Sequence, residues 1–115
     1  MEIYNEQIID LLSGSIEKIH IREDRKNNRV YPEPCIEETV ENIKDVLDLI
    51  DKGSSNRKVA STQMNSESSR SHAIFTANIQ TTQKLSSSES IIKTSRLHIV
   101  DLAGSERCKE TGAAN

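Results

Sequence analysis

The sequence has no tryptophan, one phenylalanine and two tyrosines among its 115 residues, so the large side chains that anchor a self-sufficient core are scarce. Leu, Ile, Val and Phe make up roughly 23% of the chain, a little above the level that marks intrinsic disorder. This predicts one domain at most, with a thin core of its own. No apolar run approaches the roughly 20 residues of a membrane helix. Met1 leads into Glu2, Tyr4 and Asn5, not into a basic-then-apolar leader, so no membrane partner is expected. Two cysteines, Cys35 and Cys108, lie far apart without metal-binding spacing and read as reduced cytosolic thiols. Charge of neither sign dominates: 15 Lys plus Arg face 18 Asp plus Glu, a net charge of -3. That balance argues against a nucleic-acid partner.

What is present is a set of short patterned segments without a fixed repeat. Ile8 to Leu12 predicts a short helix closed by Gly14. Ile16 to Arg22 alternates, with Ile19 and Ile21 on one side, and predicts a half-buried strand. Glu23 to Arg29 is charged or amide throughout and predicts a loop. Pro32 and Pro34 argue against regular pairing around Tyr31 to Cys35. Val40, Ile43, Leu47 and Ile50 share a helical face, with Asn42 as cap and Gly53 as stop. Ser54 to Arg70 then reads as a long polar loop, of the kind usually functional or disordered. Ala73 to Thr81 and Ile91 to Val100 predict two strands joined by a Ser-rich hairpin connection. A helix plus several strands points to an α/β unit with at least two strands antiparallel.

Two polar clusters can carry chemistry. Asn65-Ser66-Glu67-Ser68-Ser69-Arg70-Ser71-His72 stands directly before a strand. Such a stretch can be a plain polar turn. Its hydroxyls can also serve as neutral oxygen ligands to Mg²⁺, and its arginine can pair with a carboxylate. The second cluster, Leu97-His98-Ile99-Val100-Asp101-Leu102-Ala103-Gly104-Ser105-Glu106, runs an apolar strand straight into Asp-x-x-Gly. A carboxylate at a strand end can hold a Mg²⁺-bound water, and a glycine lets the backbone approach a terminal phosphate. Asp-x-x-Gly alone is a weak signal; the strand before it supplies the context.

Together, Asn-x-x-Ser-Ser-Arg-Ser-His and Asp-Leu-Ala-Gly-Ser-Glu resemble the switch I and switch II signatures of the kinesin motor domain, in the right order and one strand hairpin apart. Met1 to Leu12 and Asn56 to Ala60 also resemble kinesin segments, so the similarity covers nearly the whole chain. It implies a partial kinesin-type three-layer α/β motor core, with a mixed β-sheet and flanking helices. Residues 1–115 would form one partial motor domain, with switch I at 65–72 and switch II at 101–106. ATP and Mg²⁺ are the implied ligands. Ser69 would contact Mg²⁺ directly and Asp101 would hold one of its waters. Asn65 and Ser68 would face the terminal phosphate and the attacking water. Gly104 would sense the γ-phosphate through its N–H, and Arg70 would pair with Glu106 to close the switches.

The loop containing Arg22, Arg25, Lys26 and Arg29 resembles a kinesin loop that touches tubulin; four cations suit an acidic surface, and a plain solvated loop fits equally well. The implied partners are the microtubule, the remainder of the motor domain and, through a coiled coil elsewhere, a second copy. The implied location is the cytoplasm and cytoskeleton, the spindle included. His72 opens a strand, where a histidine is usually structural.

One family element is missing. None of the four glycines, at 14, 53, 104 and 112, belongs to a Gly-x-x-x-x-Gly-Lys-Ser/Thr phosphate loop. The chain alone is therefore expected to be inactive, and an uncovered sheet edge is expected to make it poorly soluble. Thr111-Gly112-Ala113 fits the family's loop after switch II, and Ala114-Asn115 does not. A truncated, non-enzymatic tubulin-binding module is the alternative. A GTPase of another family lacks support, because no guanine-reading Asn-Lys-x-Asp occurs. A serine hydrolase lacks an elbow turn and an orienting acid.

Overall fold

In a computed structural model of the chain, residues 1–64 and 67–105 are described. The elements run β1 (Glu2–Tyr4), β2 (Gln7–Ile9), β3 (His20–Asp24), β4 (Arg29–Glu33), α1 (Ile43–Met64), a 3₁₀ turn (Ser68–Arg70), β5 (His72–Lys84) and β6 (Ser90–Asp101). One four-stranded sheet has the order β2-β1-β5-β6, and β3 with β4 forms a separate ribbon. Every pairing among the described strands is antiparallel, so any parallel neighbour in the expected mixed sheet is not among them.

The amino-terminal segment departs from the expected short helix. Asn5 and Glu6 both take positive φ, 49° and 60°, the geometry of a two-residue hairpin turn whose twist matches its strands. Ile3 thereby pairs across with Ile8. Asp10 then ends the strand. Its carboxylate accepts the Leu12 N–H at 2.9 Å and the Ile36 N–H at 2.7 Å, which turns the chain and ties it to the segment before α1. Four apolar residues around Asp10, from Ile8 to Leu12, are too few to separate a helix from a tight hairpin by periodicity.

The β3–β4 ribbon shows why Pro32 is tolerated. It pairs with Ile21, but a two-stranded ribbon has an outer edge on each strand, where a missing N–H costs nothing. The expected break at Tyr31 to Cys35 therefore falls after Glu33. Ile19, just ahead of β3, is 5% exposed and is one of the few buried apolar side chains, with Ile9 and Ala60.

Helix α1 begins as its sequence predicts. Asn42 Oδ1 accepts the Asp45 N–H at 2.9 Å, satisfying a first-turn donor. Lys44 and Asp48 add an i,i+4 pair at 2.7 Å. The helix does not stop at Gly53; its 22 residues run from Ile43 to Met64, so the first part of the loop expected from Ser54 is helical. Gly53 lacks the positive φ of a helix-ending glycine. Tertiary contacts carry the polar second half. Ala60 is buried, and Asn56 donates its amide to the Leu11 carbonyl at 2.7 Å. Packing of this kind outweighs local propensity.

Strands β5 and β6 meet both sequence expectations; β5 runs one residue further at its start and three at its end, and β6 one further at each end. Their unbroken register runs from Ala73↔Asp101 to Lys84↔Ser90. At the turn, Glu89 accepts the Leu85 N–H at 2.9 Å. A 13-residue strand is about 43 Å long, and the molecule measures 78 × 35 × 25 Å. Phe75 opposite Ile99 and Ala77 opposite Leu97 share one face of this ribbon. Phe75, Leu97 and Ile99 remain 36%, 49% and 58% exposed, so no described element covers that face.

The two interior glycines should respond oppositely to alanine. A Cβ at Gly53 would meet only the Leu11 Cβ, at an ordinary 3.8 Å. Gly53→Ala is expected to stabilise the chain by about 0.5–1 kcal/mol. Gly14 has φ +68°, and Gly14→Ala is expected to cost about 1 kcal/mol. Paired denaturant melts read both, and a stabilising Gly14→Ala would contradict the assigned turn.

Candidate functional site

The β5–β6 ladder solves a placement problem. The two polar clusters are some thirty residues apart in sequence, yet antiparallel pairing sets the start of β5 against the end of β6, with Ala73 opposite Asp101. The 3₁₀ turn brings Ser68, Ser69 and Arg70 to the same end, closed by Arg70 N–H to the Glu67 carbonyl at 2.9 Å. Two bonds then join the clusters. The Gly104 N–H donates to the Ser69 carbonyl at 2.9 Å. The Ala103 N–H donates to His72 Nδ1 at 3.0 Å, so His72 carries its proton on Nε2 when neutral. The expectation that His72 is structural agrees with this bond.

Beneath the clusters lies an ion pair that the sequence reading did not single out. Arg57, on α1, donates from Nε to Glu2 Oε2 at 3.0 Å. The Glu2 side chain is 2% exposed and that of Arg57 20%. Arg57 Nη2 also donates to Ser71 Oγ at 3.1 Å and to the Ser68 carbonyl at 3.3 Å. Its Nη1 stands 3.7 Å from Asp101 Oδ2. A carboxylate this buried requires a partner of opposite charge. Both lie in segments that resemble kinesin, but their pairing leaves no mark in the sequence, because it joins a strand to a helix 55 residues away with no local pattern.

The other expected site residues fall as follows. Ser68, Ser69, Asp101 and Gly104 are exposed and gathered at one end of the sheet. The Ser69 hydroxyl makes no hydrogen bond to a described residue, leaving its oxygen available to a ligand. Asn65 and Glu106 lie outside the described residues, and so does the expected Arg70–Glu106 pair. The described neighbour of Arg70 is Glu67, with Nε to Oε2 at 3.8 Å, an exposed contact of little energetic weight. Among the described residues no group of three or more His, Cys, Asp or Glu could cage a metal. Mg²⁺ takes one or two protein oxygens and completes its shell with water and phosphate oxygens. One hydroxyl and one carboxylate on adjoining segments fit that demand.

The cationic loop sits on the β3–β4 ribbon, and its tip is ordered by Asp24. That carboxylate accepts from Asn27 Nδ2 at 2.7 Å, the Lys26 N–H at 3.1 Å and the Asn27 N–H at 3.2 Å. These bonds, led by the Asn27 side chain, hold its pKa below the usual carboxylate value. Arg22 pairs with Glu33 at 3.2 Å and Arg25 with Glu23 at 3.3 Å. Arg29 lies over the Tyr31 ring, 5.3 Å from its centroid. The Arg25 side chain is 87% exposed, so its pairing is weak and it can meet another surface.

His72→Ala removes the acceptor of the Ala103 N–H. We expect a stability loss of about 1–2 kcal/mol, with hydrogen exchange at Ala103 accelerating more than at the middle of the β5–β6 ladder. Equal acceleration throughout the ladder would deny His72 its specific tie to the second cluster.

Comparison with known proteins places this geometry in a family. The kinesin motor domain family model matches residues 1–115. The chain is 51% identical over 115 residues to the kinesin-like protein KIN-12B of Arabidopsis thaliana, covering 99% of this chain and 9% of that protein. It is 47% identical over 113 residues to the kinesin-like protein KIF15 of Strongylocentrotus purpuratus, covering 98% of this chain and 8% of that one. Among solved structures, a fast kinesin, described with its ATPase mechanism and its interactions with microtubules, superposes with a TM-score of 0.82 at 37% identity. That match covers 99% of this chain and 31% of the kinesin. The chain thus spans less than a tenth of these curated relatives, and it belongs to the kinesin motor domain family.

Proposed function

We propose that residues 65–72 and 101–106 are the switch I and switch II segments of a microtubule motor that hydrolyses ATP. The observation that carries this reading is the 2.9 Å bond from the Gly104 N–H to the Ser69 carbonyl. It sets the proposed phosphate sensor directly against the proposed metal ligand.

In this reading the Ser69 hydroxyl and, through a water, the Asp101 carboxylate would hold Mg²⁺. When bound, that ion neutralises charge on the β- and γ-phosphates. Asn65 and Ser68 position the attacking water and the terminal phosphate. Gly104 turns its N–H from the Ser69 carbonyl to a γ-phosphate oxygen, exchanging one acceptor for a charged and therefore stronger one. Arg70 pairs with Glu106 and closes the two segments around the water. Catalysis of this kind rests on positioning and charge compensation, not on covalent chemistry by the protein. Loss of the γ-phosphate returns Gly104 to Ser69, and the switches relax together.

The β3–β4 ribbon would meet the acidic microtubule surface through Arg22, Arg25, Lys26 and Arg29. The order that Asp24 imposes on the loop supports this role, since a preorganised loop binds at a lower entropic cost. The same loop supports a second reading, in which the 115 residues alone act as a non-enzymatic tubulin-binding module. Dimerisation through a coiled coil and action on cytoplasmic or spindle microtubules belong to the proposed whole motor.

The 115 residues contain no Gly-x-x-x-x-Gly-Lys-Ser/Thr, so by themselves they are expected to release no phosphate from ATP, with or without microtubules. Joined behind the phosphate-loop half of the KIN-12B motor domain, they are expected to support microtubule-stimulated turnover. Ser69→Ala should then lower that turnover by at least about a hundredfold. Turnover that survives Ser69→Ala would defeat the proposal.

Co-sedimentation of the 115-residue chain at two salt concentrations tests the module. Salt-sensitive pelleting is expected, weakened about three- to tenfold in Arg25→Ala/Lys26→Ala. Pelleting indifferent to salt and to both substitutions would remove the ribbon from the interface.

A further inference from the structure

The β3–β4 ribbon carries Arg22, Arg25, Lys26 and Arg29, but also Glu23, Asp24 and Glu33. Four cations and three carboxylates leave it a net charge of only +1, so its pull on an acidic surface depends on what each carboxylate does. Asp24 accepts its hydrogen bonds from Lys26 and Asn27 and orders the tip. Glu23 meets Arg25 two residues along the same turn, at 3.3 Å, where the arginine swings free. Lys26 has no carboxylate partner among the described residues, and Arg29 lies over Tyr31.

Glu33 is placed differently. The register sets Arg22 opposite Tyr31 and His20 opposite Glu33, so Arg22 and Glu33 are diagonal neighbours on one face of the ribbon. Arg22 Nε donates to Glu33 Oε2 at 3.2 Å. Two paired strands hold both partners, so this contact needs less ordering than the one at the turn. Both side chains are nonetheless 57% exposed, and another carboxylate can reach the same guanidinium.

We infer that Glu33 is a specificity-determining residue of the ribbon: its carboxylate occupies Arg22 as an internal substitute for an acidic protein surface, which must displace it to dock. Reading that surface as the microtubule rests on the proposed function above. Docking at Arg22 exchanges one carboxylate for another, so this cation adds little net affinity, and Glu33 repels the incoming surface as well. Lys26 and Arg29 then supply most of the attraction. The contact is weak and quickly reversed, as a surface that binds and releases repeatedly requires.

The test is binding of the 115-residue chain at low salt, measured in two arms: co-sedimentation with microtubules, and titration with a poly-glutamate peptide. Glu33→Gln keeps the shape of the side chain and removes its charge. It is expected to tighten binding about two- to fivefold in both arms and to steepen the salt dependence. Some of that gain comes from lost charge alone. In an Arg22→Gln background no cation is released, and Glu33→Gln is expected to gain at most about half as much.

An equal gain in both backgrounds overturns the inference, because bulk charge then explains it. Unchanged or weaker peptide binding by Glu33→Gln also overturns it, since Glu33 would then organise Arg22 instead of competing for it. Arg22→Gln without effect in either arm removes Arg22 from the surface and the inference with it. Arg22→Gln that weakens peptide binding but leaves microtubule pelleting untouched defeats the microtubule reading of the ribbon, while the competition stands on the peptide arm.

Discussion

The arrangement depends on the register of one antiparallel ladder. Ala73 opposes Asp101, and that single pairing decides that a serine-rich turn and an Asp-x-x-Gly loop share one end of a sheet. A slip of one residue would send every side chain of β6 to the opposite face. It would separate Asp101 from Arg57 and draw Gly104 away from Ser69. Ile74 against Val100 and Phe75 against Ile99 make such a slip costly, because apolar side chains on both faces are matched across the strands.

The ladder places the segments, and hydrogen bonds of different kinds then secure them. His72 holds Ala103, Ser69 holds Gly104, and Arg57 reaches under both to Glu2. The first is half-buried, while the second joins two exposed residues and is open to exchange with water or a ligand. The third is anchored in one of the few well-buried spots of the molecule. A site built this way has a firm floor and a movable rim, which suits segments whose task is to respond to a ligand.

The sequence made the rim legible and hid the floor. The hydroxyl cluster and Asp-x-x-Gly carry their chemistry in contiguous residues, so their spacing could be read directly. Alternation identified β5 and β6, and Asn42 announced the start of α1. Gly53 misled because a glycine ends a helix only when it adopts positive φ, and the contacts of Asn56 and Ala60 kept the helix going. Ile8 to Leu12 misled because Asn5 and Glu6 adopt turn dihedrals that no hydrophobic pattern records. The pairing of Glu2 with Arg57 was invisible for a different reason. A long-range ion pair leaves no periodic trace; it exists only once a strand and a helix are packed.

The join between Ser69 and Gly104 is made of main-chain atoms alone. Replacing the serine side chain leaves its carbonyl in place, and at position 104 only proline lacks the donor. The contact is thereby shielded from most single-codon changes, while the hydroxyls, carboxylate and guanidinium around it stay open to drift. Divergence can retune what this end of the sheet recognises without dissolving the seam that holds its two halves together.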